Sequence, residues 1–118
     1  MRHSEDLRQR TKNFAIRVVR LFRALPRSTE GQVMGKQLLR CGTSVAANYR
    51  AVCRARSKAE FIARIGVVAE EADESVLWLE LLEETQTLSA KQLQEITREA
   101  RELAAIFSAS HKTARGNT

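Results

Sequence analysis

The sequence predicts an all-α fold, an up-down-up-down antiparallel four-helix bundle in which residues 1–118 form a single domain. One proline and five glycines in 118 residues leave few places for turns. Four long segments instead repeat apolar residues at helical spacing. The connections between these segments are short, so consecutive helices must pack antiparallel. A chain of this length can bury enough apolar surface to fold as one domain without disulfides.

The first helix is predicted at about residues 5–25. Its apolar stripe, with Phe22 beside it, consists of Leu7, Phe14, Val18, Leu21 and Leu25. Pro26 disfavours a helical conformation in the residue before it, so the helix should end there. Ser28 or Thr29, in the turn that follows, can cap the second helix.

The second helix is predicted at about residues 30–55, with one stripe made of Met34, Leu38, Cys41, Val45, Asn48 and Val52. Gly35 and Gly42 each weaken the helix by up to about 1 kcal/mol, which predicts a close backbone approach at these positions. Asn48 is expected to be buried and hydrogen-bonded, with Ser44 one turn earlier in the same network. A structural role for this pair is favoured over a ligand site.

Capping boxes mark the starts of the last two helices, at Ser57 with Glu60 and at Ser89 with Gln92. The apolar stripe of the third helix is Phe61, Ile65, Val68, Ala72, Val76, Leu79 and Leu82. The stripe of the fourth is Leu93, Ile96, Ala100, Leu103 and Phe107. The polar tail, at about residues 111–118, is expected to be frayed.

The third helix carries more apolar residues than one core face needs, because only Glu80 interrupts the apolar run from Val76 to Leu82. A helix that is apolar nearly all round is normally buried on more than one side. In so small a bundle the second side would be another subunit, which predicts a homo-oligomer with Leu77, Trp78 and Leu81 in the interface. The alternative is a wide core face with one exposed Trp or Leu.

Charge is divided unevenly along the chain, although the total is only +6. Residues 1–58 contain fourteen Lys and Arg against three Asp and Glu, whereas residues 59–118 contain six against eleven. Two explanations stay open. The two halves can neutralise each other across the bundle, or the basic half can face a polyanion.

A basic stripe on the second helix is the candidate binding surface. Its residues recur at spacings of four and three, on the side opposite the core stripe: Lys36, Arg40, Thr43, Ala47, Arg50 and Arg54. Arg17 and Arg20 on the first helix add positive charge. We expect contacts to the phosphates of RNA or DNA without base recognition. The alternative is a protein-interaction scaffold, with the basic face used for an unidentified protein partner or for contacts between subunits.

Catalysis is not expected, because no triad, phosphate-binding glycine loop or paired acid and base is present. The acidic cluster Glu70, Glu71, Asp73 and Glu74 lacks the Glu-x-x-His pairs of a di-iron bundle, so no metal or other cofactor is expected. Cys41 and Cys53 have no CxxC partners, which favours reduced thiols in the cytoplasm. Neither a signal peptide nor a membrane-spanning segment is expected.

Two segments resemble a known family: Arg40-Cys41-Gly42-Thr43-Ser44-Val45-Ala46-Ala47-Asn48-Tyr49 and Arg54-Ala55-Arg56-Ser57-Lys58-Ala59-Glu60-Phe61. They are similar to the four-helix bundle proteins encoded in intervening sequences of bacterial large-subunit ribosomal RNA. That family includes the accessory protein of diversity-generating retroelements, a basic ring that works with a reverse transcriptase and nucleic acid. The resemblance covers about residues 7–107 and implies a homopentameric ring. The chain departs from the commoner pattern at Ala46, Arg50 and Ala51, which indicates a distinct subgroup.

Overall fold

The computed structural model describes the backbone of residues 2–116 and the side chains of residues 4–116, and it confirms the four-helix bundle. The helices are α1 (Arg2–Arg23), α2 (Thr29–Cys53), α3 (Lys58–Glu84) and α4 (Ala90–Gly116). They form a bundle of 46 × 22 × 21 Å. Extensive contacts join α1 to α2, α2 to α3 and α3 to α4, whereas α1 and α4 meet over a short stretch only. None of these described helices is long and apolar enough to cross a membrane.

The helices begin where the sequence places their caps. Ser28 Oγ accepts the Gly31 N–H at 3.2 Å, so Ser28 rather than Thr29 caps α2. The capping box at the start of α4 is complete. Gln92 Oε1 accepts the Ser89 backbone N–H at 3.0 Å, and Ser89 Oγ accepts the Gln92 backbone N–H at 3.2 Å. At the start of α3, Ser57 Oγ accepts the Glu60 N–H at 3.0 Å.

The core follows the predicted stripes closely. Every stripe residue predicted for α4 is buried, and α3 contributes Ile65, Val68, Ala72, Leu79 and Leu82. Thr11 also lies in the core of α1, between Leu7 and Phe14, with its hydroxyl donating to the Leu7 carbonyl at 2.8 Å. This bond satisfies a polar group that the apolar pattern did not include.

Gly35 and Gly42 of α2 lie close to α1 and to the turn after it, as predicted. A Cβ atom at Gly35 would stand 3.1 Å from Phe22 Cδ1 of α1 and would overlap Leu25 in the turn after α1, and one at Gly42 would stand 2.8 Å from Val18 Cγ2. The absence of side chains at both positions therefore lets α1 and α2 pack against each other.

The prediction that Asn48 is buried in the core is wrong. Asn48 is half-buried, and the neighbouring Tyr49 takes the core position with its ring 5.3 Å from that of Phe107. The predicted bond to Ser44 does form, since Asn48 Nδ2 lies 2.7 Å from Ser44 Oγ and 2.9 Å from the Ser44 carbonyl oxygen. This pair lies at the edge of α2, where an amide can be hydrated and need not be fully buried.

The prediction of a frayed tail from about residue 111 is also wrong for the described part of the tail. Helix α4 continues to Gly116, and the His111 imidazole lies directly over Gly66 of α3. Because α4 runs antiparallel to α3, its last turns meet the first turns of α3 and are supported there. Asn117 and Thr118 lie outside the described residues.

Candidate functional site

The outer face of α2 carries the basic stripe and lies opposite the core, as predicted. Lys36, Arg40, Arg50 and Arg54 are all exposed, while Thr43 between them is half-buried. These positions recur at helical spacing on the side opposite the buried stripe of the same helix. The stripe is therefore an exposed surface from Lys36 to Arg54.

The C-terminal half of this stripe lies in a groove of about 1160 Å³, which we call the basic groove. Its base is α2, which contributes the small residues Thr43, Ala46, Ala47 and Ala51. Segments on either side form its walls, from α1 on one side and from the α2–α3 turn and α3 on the other. The charged and polar residues of the groove are Glu5, Arg8, Gln9, Lys12, Arg50, Arg54, Arg56, Glu60 and Arg64.

Most of the positive charge in the basic groove is unneutralised. Arg64 pairs with Glu60 at 3.4 Å, within α3. The other five cations, which are all exposed, have no carboxylate within 4 Å among residues 4–116: Arg8, Lys12, Arg50, Arg54 and Arg56. Like charges gathered in a concave surface attract anions, since the surrounding protein focuses their field.

Arg40 differs from the other cations of the stripe because α3 neutralises it. Its guanidinium pairs with Glu71 at 3.3 Å and also with Glu74. Glu74 in turn accepts the indole N–H of Trp78 at 3.0 Å. These bonds from Trp78 and Arg40 lower the pKa of Glu74. Part of the acidic cluster therefore serves a contact with the basic half inside one subunit, which was one of the two explanations for the charge pattern.

The remaining predicted cations lie outside the basic groove. Arg17 and Arg20 line a smaller recess of about 510 Å³ where α1 meets α4, together with Ile16 and the ion pair of Arg10 with Glu99. Lys36 lies on the N-terminal half of the α2 stripe, beyond Arg40. The structure thus brings Arg50 and Arg54 together and separates them from the other four predicted residues.

Three further unpaired cations of the basic groove were not predicted from the sequence. Arg8 and Lys12 lie on α1, and Arg56 lies in the turn between α2 and α3. The spacing of four between Arg8 and Lys12 places both on one face of α1, which was a usable signal. Their position beside Arg50 and Arg54 depends on how α1 aligns with α2, and periodicity within one helix does not contain that information.

The three residues predicted for an oligomer interface have different environments. Leu77 is 47% exposed, whereas Trp78 and Leu81 are half-buried and pack against the core. Among the described residues, Val67 is the other large apolar side chain exposed on α3, at 41%. The surplus of apolar residues on α3 is thus used partly for a wide core face, and Leu77 and Val67 remain on the surface.

Both cysteines are free thiols. Cys41 is buried in the core, where burial raises its pKa, and its sulfur lies 3.3 Å from the Ser75 hydroxyl. Cys53 is exposed at the end of α2. Among the described residues, no group of three or more His, Cys, Asp or Glu is arranged to hold a metal ion.

Comparison with known proteins places the chain in a family. The model of the 23S rRNA-intervening sequence protein family matches residues 4–109. A crystal structure from Bacteroides thetaiotaomicron, described as a protein of unknown function from the S23 ribosomal protein family, is 34% identical in sequence. That match covers 89% of this chain and 97% of the other, with a TM-score of 0.82. No curated protein matches the chain. Since the family model spans nearly the whole bundle, the chain belongs to the 23S rRNA-intervening sequence protein family.

Proposed function

We propose that this protein binds nucleic acid, without catalysis, by holding phosphates in the basic groove. The observation that carries the proposal is the group of five unpaired cations around a base of small side chains. The family description names a 23S rRNA intervening sequence but no ligand, so the argument rests on the groove itself.

The groove suits a polyanionic backbone better than a small anion. Its cations come from α1, from α2 and from the turn after α2, and they surround an open surface and not a closed pocket. The base spans residues 43–54, which at 1.5 Å per residue is about 16 Å of helix. One strand of a duplex carries a phosphate every 3.4 Å, so about five phosphates per strand fit along this length.

Salt dependence provides the test. If all five cations contact duplex phosphates, the logarithm of the binding constant should fall with the logarithm of salt concentration with a slope of about −4.5. The double variant Arg50→Gln/Arg54→Gln should weaken binding to every sequence and make the slope less steep, at about −3. Fluorescence anisotropy with short mixed-sequence RNA and DNA oligonucleotides measures both quantities.

A matched control separates the groove from total charge. Lys91→Gln/Arg98→Gln removes the same two charges from exposed positions on α4, outside both recesses. We expect this variant to bind almost as the parent does. Equal losses of affinity in the two variants would mean that binding depends on the net charge of the protein and not on the basic groove. Unchanged binding by the groove variant would refute the proposed site.

Arg17→Gln/Arg20→Gln tests the other predicted surface, on α1. These arginines lie in the α1–α4 recess, apart from the five unpaired cations of the basic groove. A smaller loss than that of Arg50→Gln/Arg54→Gln is therefore the expected result. A larger loss would transfer the binding site from the basic groove to this recess.

Self-association is the second candidate function. An assembly of several copies would form the protein-interaction scaffold that is the alternative to nucleic-acid binding. It is favoured by the exposed face of α3, where Val67, Glu70, Asp73 and Leu77 follow one another at spacings of three, three and four. Packing of Val67 and Leu77 against a second copy would remove their apolar surface from water. The resemblance favours five copies. We place the assembly in the cytoplasm, because Cys41 and Cys53 are free thiols.

A further inference from the structure

The basic groove contains few of the neutral polar side chains that hydrogen-bond to base edges. Its cations are Lys and Arg, and its base consists of Thr43 and three alanines. The neutral polar side chains in the lining are those of Thr43 and Gln9, and both are already engaged within the protein. The Thr43 hydroxyl donates to the Leu39 carbonyl at 2.7 Å, and the Gln9 amide donates to Asn13 Oδ1 at 2.9 Å.

No aromatic ring is available for stacking among the residues that line the groove. Tyr49, on the same turn of α2, points into the core, where it is 5% exposed and packs on Phe107. Proteins that bind single strands without sequence preference rely on aromatic side chains on which the bases stack. A flexible single strand loses conformational entropy when it binds. In this groove no stacking on aromatic rings would offset that loss.

The positions of the cations suit two strands. Helices α1 and α3 both pack on α2, and no described Cα atom of α1 lies within 8 Å of one of α3, so the two helices lie diagonally on either side of α2. Packed helices lie about 8–10 Å apart, which places the axes of α1 and α3 about 12–14 Å apart. The major groove of B-form DNA is about 12 Å wide, so Arg8 and Lys12 on α1 can face one phosphate strand while Arg56, in the turn that leads to α3, faces the other.

From these observations we infer that the basic groove binds double-stranded nucleic acid in preference to single strands, through phosphates alone and independently of sequence. The inference rests on the proposed function and specifies its ligand. A duplex is already ordered, carries one charge per about 1.7 Å of its axis, and releases more counterions for each phosphate contacted than a single strand does. RNA and DNA duplexes share this chemistry.

The test compares each duplex with its own separated strands at one salt concentration, using mixed-sequence RNA and mixed-sequence DNA. For at least one of the two, we expect the duplex to bind about tenfold more tightly than either strand, as the larger counterion release predicts. Two duplexes of different sequence but the same sugar should bind within about twofold of each other, because phosphate contacts carry no sequence information. The RNA and DNA arms show which duplex geometry fits better.

The outcomes distinguish the inference from the proposed function. If single strands bind as tightly as both duplexes, and Arg50→Gln/Arg54→Gln weakens that binding, the duplex inference is overturned while the proposed function stands. If neither duplexes nor strands bind, both fail. A strong preference for one duplex sequence would overturn readout by phosphates alone. Tighter duplex binding that is lost in the groove variant and kept in Lys91→Gln/Arg98→Gln supports both.

Discussion

Arg40 lies on the same face of α2 as Arg50 and Arg54, but its surroundings give it a different role. Glu71 and Glu74 of α3 hold its guanidinium, so its charge is balanced within the subunit. Arg50 and Arg54 have no such partner among the described side chains. One helical stripe of like charges therefore divides into a structural half that joins α2 to α3 and a half that is open to a ligand.

The contact of Arg40 and Trp78 with Glu74 should make stability depend on pH. The pKa of Glu74 is lowered from its ordinary 4.5, by the bond from Trp78 and then by that from Arg40. The ionised form is thus favoured by folding, so the stabilisation is present above the unfolded pKa and is lost as pH falls through the folded pKa. Glu74→Gln should lower the free energy of unfolding by about 1 kcal/mol at pH 7.

Urea unfolding at several pH values measures this effect. The difference between the parent and Glu74→Gln should shrink as pH falls below 4.5 and vanish once Glu74 is protonated in the folded state. Asp73→Asn, at the neighbouring exposed position, makes none of these contacts and serves as the control. A difference that stays constant down to the lowest pH would show that the charge of Glu74 contributes nothing.

At the scale of the helices, the glycines of α2 and α3 have opposite consequences. A Cβ at Gly42 would meet both γ-carbons of Val18, at 2.8 and 3.0 Å, and Val18 is fully buried and stiff. A Cβ at Gly66 would instead meet the imidazole of His111 at 2.9 Å, and this half-buried ring can move outwards. The first glycine is required by packing between helices, whereas the second lowers helix propensity without that need.

Gly42→Ala should therefore lower the free energy of unfolding by about 1–3 kcal/mol, because overpacking outweighs the gain in helix propensity. Gly66→Ala should leave stability unchanged or raise it by up to about 1 kcal/mol. Chemical denaturation of the two variants beside the parent measures both. A Gly42→Ala protein as stable as the parent would show that α1 and α2 can separate slightly at no cost.

The sequence was informative about each helix and less so about how the helices meet. Periodicity identified all four helices and most buried positions, because the core face of a helix must repeat every three or four residues. It placed Asn48 in the core instead of Tyr49, since adjacent residues near the edge of a stripe differ by only about 100°. Periodicity also grouped Lys36 and Arg40 with Arg50 and Arg54 in one binding surface. The carboxylates of α3 that neutralise Arg40 become visible only once the helices are packed together.

The whole molecule has a basic side and an acidic side that internal pairing neutralises only in part. Arg10 pairs with Glu99 across the α1–α4 contact, and Arg101 pairs with Glu80 between α4 and α3. Five cations of the basic groove stay unpaired among residues 4–116, as do the exposed Glu70 and Asp73 of α3. The acidic surface of one copy can therefore face a basic surface of another copy in an assembly.

Assembly should therefore depend on the exposed face of α3. Light scattering at micromolar concentration should give a mass several times 13.3 kDa, with fivefold favoured by the resemblance. Leu77→Glu should reduce this mass, because it places a charge in an apolar contact next to Glu70 and Asp73. Helical circular dichroism should remain, since Leu77 is 47% exposed in the single chain. Trp78→Glu is less suitable, because Trp78 packs against the core.

Val33→Glu is the matched control, since Val33 is an apolar residue that is slightly more exposed than Leu77, at 55%, but lies on α2. It should leave the assembly intact. A monomer of 13.3 kDa throughout the micromolar range would refute self-association. If Leu77→Glu keeps the full mass, the copies meet through a different surface. If both variants dissociate, added negative charge is responsible and not the loss of a specific contact. If Leu77→Glu alone dissociates, its monomer can be tested for nucleic-acid binding. Linked sites bind with greater avidity, so weaker binding by the monomer would show that several basic grooves act together, and unchanged binding would show that one groove is sufficient.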